Sequence, residues 1–95
     1  MRRIDFEWDR RKDATNRRKH GVGFAEASSV FGDPLSITIP DPDYSGVEER
    51  FVIVGQSSTR RLLVVVHTMR VERIRLISAR LATRHERRAY EETFH

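Results

Sequence analysis

The sequence predicts a small α+β domain in which an N-terminal strand and two helices precede a four-stranded antiparallel meander and a C-terminal helix. Three features predict it. Apolar and acidic residues alternate at the start, helical spacing gives way to β-branched runs after Pro34, and a helix-capping signature stands near the end. Its 95 residues fit one domain, and residues 1–95 are read as one, with no repeat, low-complexity tract or linker.

Ile4, Phe6 and Trp8 alternate with Asp5 and Glu7, the period of a half-buried strand. Asp9 then caps a helix over residues 10–20, and Gly21 is placed to stop it. This helix is very polar, so Trp8 and long side-chain stems must supply much of its packing. Phe24, Ala27, Val30 and Phe31 recur at the spacing of a second helix, closed by Gly32, Asp33 and Pro34. Residues 35–39 form a short strand, and residues 40–46 form a loop dense in Pro, Asp and Gly. Strands over 50–56, 62–70 and 73–79 follow, and the short links between them imply antiparallel pairing. Leu62, Leu63, Val64, Val65 and Val66 are apolar on both faces, as in a central strand covered on both sides by helices or by a partner. Thr83 and Glu86 make a capping box for the last helix, with Tyr90 and Phe94 as its apolar edge.

Composition narrows the function. There is no cysteine, hence no disulfide, thiolate nucleophile or Cys-based metal site, and a reducing cytoplasmic setting fits. The longest apolar run is far short of a membrane span, and no signal-peptide pattern follows the basic start, so no membrane association is expected. The net charge of +4 is unevenly laid out: +4 over residues 1–20, −5 over 21–59 and +5 over 60–95. Sixteen of the eighteen cations are arginine, whose planar fork suits phosphate, although genome composition produces the same bias. Metal-ligand spacings and phosphate-loop glycines are absent, so neither a metal nor a cofactor is implied. A turn accounts for Ser57 and Ser58.

The remaining reactive types, His, Arg, Lys and Tyr, suffice for metal-free RNA cleavage. There the 2′-hydroxyl attacks the adjacent phosphate, and the site must accept one proton, donate another and stabilise added negative charge. Lys19-His20-Gly21 places a histidine and a lysine at a helix C-terminus, with Asn16 four residues earlier to orient the ring. The same residues equally serve to complement the helix dipole. Strand parity puts Arg70 with Val64, Val66 and Thr68, and Arg80 with Ile74, Leu76 and Ser78. Each arginine either snorkels to water or points at a ligand. Arg73 and Arg75 read as an exposed edge or partner surface, His67 as a packed, hydrogen-bonded core histidine, and His85 and His95 as solvent-exposed.

An ordered series of residues resembles the BrnT toxin family over about residues 4–90. It comprises Phe6-Glu7-Trp8-Asp9, Lys12, Asn16, Lys19-His20-Gly21-Val22, Phe24, Glu26-Ala27, Val30-Phe31 and Asp33-Pro34, then Glu48-Glu49-Arg50-Phe51, Gly55, Leu62 to Val66, Thr68, Arg70, Ile74-Arg75, Ile77-Ser78-Ala79-Arg80, Ala82 and Glu86-Arg87 to Tyr90. Met69 departs from it, standing where a polar residue is expected. The resemblance implies a RelE-like fold and a type II toxin acting as an endoribonuclease that arrests translation. It also implies a BrnA-like antitoxin with a ribbon-helix-helix domain, a toxin–antitoxin heterotetramer, and contact with operator DNA only through that antitoxin, which with the toxin represses their operon. The positions carried over are Lys19, His20, Arg70 and Arg80, with Tyr90 beside them; the resemblance does not fix their roles, and the expected catalytic roles are His20 as general acid or base, Arg70 and Arg80 as phosphate and transition-state clamps, and Lys19 as a substrate-positioning cation. Asn16, Arg61, Arg84 and Tyr90 are the expected RNA contacts. A nucleic-acid-binding module without chemistry and a corepressor docking an acidic antitoxin helix are the alternatives.

Overall fold

The N-terminal alternation becomes strand β1, Asp5–Glu7, in a computed structural model that describes residues 4–93. Phe94 and His95, expected on the last helix edge and at the exposed terminus, lie outside the described residues. Helix α1, Arg10–His20, starts where the Asp9 carboxylate accepts the Arg11 and Lys12 amides at 2.7 and 3.2 Å. Those two amides hold the Asp9 carboxyl below its ordinary pKa. The helix ends at Gly21, whose φ of 68° is the left-handed conformation that glycine adopts at least cost. The second helix is not continuous: α2, Phe24–Ser28, passes into a 3-10 turn, Ser29–Gly32. The hydroxyls of Ser28 and Ser29 donate back to the carbonyls of Ala25 and Glu26, a local competition that loosens the helical ladder.

The expected meander is present as β2 (Ile37–Pro40), β3 (Phe51–Gln56), β4 (Leu62–Arg70) and β5 (Arg73–Leu81). Strand β2 begins two residues later than expected because Asp33 holds Leu35 and Ser36 in a turn. Its Pro40 is tolerated because β2 lies at the sheet edge. The full order is β1-β5-β4-β3-β2, with β1 parallel to β5 and the other pairs antiparallel. The N-terminal strand therefore closes the far edge of the sheet beside the strand farthest from it in sequence.

Helices α1 and α2 cover one face. Phe24, Ala27 and Val30 meet Ile53, Leu63, Val65, Ile74, Leu76 and Ala79 there, with Phe6, Trp8 and Phe31 packed around them. Gly55 eases the crossing of the 3-10 turn over β3, since a Cβ at that position would stand 3.2 Å from the Val30 carbonyl oxygen and its neighbours would have to give way slightly. Burying a residue such as Phe24 or Leu63 contributes about 1.5–3 kcal/mol, so this face carries the cohesion of the fold. On the opposite face the expected cover by helices is only partial. Helix α3, Arg84–Glu92, reaches only one end of the sheet, leaving a cleft of about 360 Å³ whose lining includes Ile39, Val52, Val54, Val64 and Val66.

One irregularity decides which way the arginines point. The register passes from Val66↔Ser78 to His67↔Leu76, so Ile77 is an extra residue in β5. A bulge of this kind reverses the alternation beyond it. Simple parity put Arg80 and Ser78 on the face of Ile74 and Leu76. Instead Arg80 stands opposite Val64 and Ser78 opposite Val66, on the valine face, while Ile74 and Leu76 belong to the core.

Candidate functional site

Two grooves meet along β5. The first is the valine cleft, bounded by Arg80 and Glu86 at one side and by Asp41, Pro42 and Asp43 at the other. The second, of about 370 Å³, runs between α1 and the β5 edge and is lined by Arg11, Lys12, Thr15, Asn16, Lys19, His20, Ile77 and Ser78. Ser78 lines both, so the bulged segment forms the ridge between them. Lys19 and His20 lie on one side of that ridge and Arg80 on the other.

Asn16 fixes α1 in this position. Its Nδ2 donates to the Ala79 carbonyl at 2.7 Å and to the Val22 carbonyl at 2.8 Å, and its Oδ1 accepts the Ala79 amide at 3.1 Å. The side chain thus acts as a strand partner for β5 beyond the short β1, and it is the buried residue of an otherwise polar helix. Its amide is committed to the backbone and not to the His20 ring, the reverse of what its spacing suggested. Below it, Arg61 donates Nη2 to the Gly21 carbonyl at 3.0 Å and pairs through Nε and Nη2 with Glu26. Ser57 and Thr59 also donate to Glu26, and chiefly the Arg61 hydrogen bonds pull its carboxyl down to about 2. Arg61 therefore ties the β3–β4 turn to the corner that carries His20.

Arg80 is held in a fork. Its Nη1 and Nη2 donate to the two Glu86 oxygens at 2.7 and 2.8 Å. Glu86 also completes the capping box, accepting the Thr83 amide at 2.8 Å while Thr83 Oγ1 accepts the Glu86 amide. The Arg80 guanidinium in first place holds the Glu86 carboxyl down at about 2. Tyr90 is buried and donates its hydroxyl to Asp33 at 2.5 Å; burial and that carboxylate push it up to about 12. Arg84 is exposed on the first turn of α3.

Arg70 shares the valine face with Arg80 but not its location. It pairs with Arg73 at the hairpin end, six residues along β4 from the partner of Arg80, or about 20 Å at about 3.3 Å per residue. Glu48 lies 3.9 Å from it. The two arginines therefore cannot grip one phosphate. Met69, on the opposite strand face from Arg70, projects at the hairpin end and does not border the cleft. His67 is buried against Phe31 and Phe51, and loss of solvent lowers its pKa, as befits a core histidine, but the expected hydrogen bonding is incomplete, since its buried Nδ1 has no partner among the described residues.

Residues 8–86 match a family described as the ribonuclease toxin, BrnT, of type II toxin-antitoxin systems. The chain belongs to the BrnT toxin family. The crystal structure of the Brucella abortus ribonuclease toxin BrnT has a similar fold, with a TM-score of 0.63 and 21% identity over 86% of this chain and 100% of that one. No curated protein matches the chain. The BrnT family consists of ribonuclease toxins, so RNA is the substrate class and a protein antitoxin the partner class.

On this BrnT scaffold, sequence reasoning missed Ser78, Glu86, Arg11 and Lys12 as lining residues. The capping box already singled out Glu86, but nothing local said that both its oxygens would also meet Arg80. Among the described residues no helix is long and apolar enough to cross a membrane, and no three metal-ligating side chains gather.

Proposed function

We propose that the chain is a metal-independent endoribonuclease toxin of the cytoplasm, with its reacting phosphate near the Ser78 ridge between His20 and Arg80. The placement of a histidine, a lysine and an arginine around the bulge of β5 carries this reading. In the reaction the 2′-oxygen forms a bond to phosphorus, the bond from phosphorus to the 5′-oxygen breaks, and a 2′,3′-cyclic phosphate results. His20 takes the proton of the 2′-hydroxyl or supplies one to the leaving 5′-oxygen, while Lys19 positions the strand and Arg80 meets the charge that builds on the phosphate. Arg70, at the far end of the sheet, holds a more distant phosphate, and Arg84 contacts the strand near α3. Asn16, Arg61 and Tyr90 act as framework, since each has its polar group engaged within the protein.

The partner is a BrnA-like antitoxin with a ribbon-helix-helix domain that forms a heterotetramer with the toxin, masks the basic surface and represses the shared operon. The support for these finer features is the sequence resemblance. The test is incubation of antitoxin-free protein with RNA in EDTA, with and without ribosomes. Products ending in cyclic phosphate are expected. Cleavage that requires added magnesium would overturn metal independence, and no cleavage under any condition would overturn the enzyme reading. Expression without the neighbouring gene should arrest growth.

A further inference from the structure

The two grooves differ in how their cations are compensated. On the valine face Arg80, Arg75, Arg73 and Arg70 each have a carboxylate within 4.0 Å: Arg80 has Glu86, Arg75 and Arg73 have Glu7, and Arg70 has Glu48. Among the described residues, Arg11, Lys12, Lys19 and His20 form no ion pair within 4.0 Å, and the Asp9 carboxylate at the start of α1 acts on Arg11 and Lys12 only from beyond that distance. These four line the same groove. The nearest internal pairing on the helix, Arg17 with Asp13, draws on neither Lys12 nor Lys19. We infer that the groove between α1 and the β5 edge is the track for the phosphate backbone of the RNA. In it Arg11 and Lys12, which stand outside the catalytic set, bind phosphates other than the reacting one and lead the strand to Lys19 and His20. This rests on the ribonuclease reading above and specifies where its substrate runs.

Spacing and chemistry favour a polyanion here. Lys12 and Lys19 are seven residues apart, about 10 Å along the helix axis, a length over which a nucleic-acid strand presents two or three phosphates. The groove offers little for a protein segment to bury, because Ile77 is the large apolar side chain that lines it and the remainder is cationic or small and polar. The valine cleft has the opposite make-up. Phosphates attracted to the groove have no ion-paired carboxylate to displace, so binding there releases counterions and depends steeply on salt.

The test measures anisotropy of a fluorescein-labelled single-stranded oligoribonucleotide, 2′-O-methylated throughout so that it cannot be cut, across a salt series. Arg11→Ala with Lys12→Ala is compared with wild type and with Arg73→Ala. Both groove side chains are exposed and alanine favours the helix, so the fold should hold, with an unchanged circular dichroism spectrum and urea midpoint as the check. The double variant is expected to weaken Kd by about tenfold or more, and its log K against log salt slope to fall by about 1.4, at about 0.7 for each phosphate that is no longer neutralised. Arg73→Ala should stay within about twofold of wild type. Unchanged Kd and slope in the double variant, while wild type cleaves unmodified RNA, would overturn the track and leave the ribonuclease reading standing. So would a loss confined to antitoxin affinity, which assigns the groove to the protein partner. Weakened binding by the double variant of a wild type that does not cleave would keep the track and overturn the enzyme reading.

Discussion

The groove beside α1 and the valine face of the sheet carry the same kind of side chain in opposite electrostatic states. On the sheet the arginines are tied to Glu86, Glu7 and Glu48, so their fields are largely cancelled at a distance. Beside α1 the cations have no carboxylate within 4.0 Å among the described residues, Asp9 acting on Arg11 and Lys12 from farther off, and they cluster at one helix flank. Bare charge steers a polyanion from afar, whereas a paired arginine contributes only when its carboxylate yields at contact. The lesson is that a count of arginines says little about where RNA goes. What decides it is which of them lack a partner, and in this chain the less arginine-dense surface has the stronger claim.

The sharpest test of that contrast is His20→Ala. Removal of a proton-transfer group at the groove should lower kcat by about 10²–10⁴ in single-turnover cleavage, with the fold intact by circular dichroism. Full activity would move the chemistry to the other side of the ridge. Next in size is Asn16→Ala. It leaves the Ala79 amide and carbonyl and the Val22 carbonyl without partners, at about 1–3 kcal/mol for each buried group that water does not reach. A loss of about 2–4 kcal/mol in urea unfolding is expected, and an unchanged midpoint would show that α1 docks by other means.

Glu86→Gln probes the paired side. Glutamine keeps the capping geometry but removes the charge that binds Arg80, so RNA affinity should tighten about fivefold, the equivalent of about 1 kcal/mol. No change would mean that Arg80 does not meet RNA. Acid titration gives a smaller effect. Glu26 has its folded pKa lowered to about 2 from an ordinary 4.5, so its contribution to stability is complete above 4.5 and declines as pH falls from there toward about 2. Urea midpoints should fall across that window and fall less in Glu26→Gln. Similar in size to the Glu86→Gln effect is Tyr90→Phe, which removes the hydrogen bond to Asp33 while keeping the ring, for a loss of about 1 kcal/mol by thermal unfolding. In wild type the Tyr90 contribution is complete below pH 10 and lost as pH rises toward about 12.

Much of this was legible in the chain itself. The meander, the Asp9 and Thr83 caps, the Gly21 stop and the burial of His67 follow from interactions a few residues long or from runs of one residue type, and local physics settles those. The family likewise follows from the ordered series of residues, and the match over 8–86 agrees with it. The burial of Tyr90 follows from its place on the apolar edge of the last helix, but the hydrogen-bond partners of Asn16, Arg61 and Tyr90 were not legible, because Ala79, Glu26 and Asp33 lie 63, 35 and 57 residues away.

The sequence by itself determined the elements, their order and the chemistry available: arginine-rich ends, two lysines, one histidine at a helix stop and an acidic middle. Tertiary structure alone decided orientation and compensation. One extra residue in β5 turned Arg80 and Ser78 onto the valine face, against the period of two. Likewise, whether a cation is bare or neutralised depends on which carboxylate the fold brings within about 4 Å, a distance that neighbours in sequence do not set.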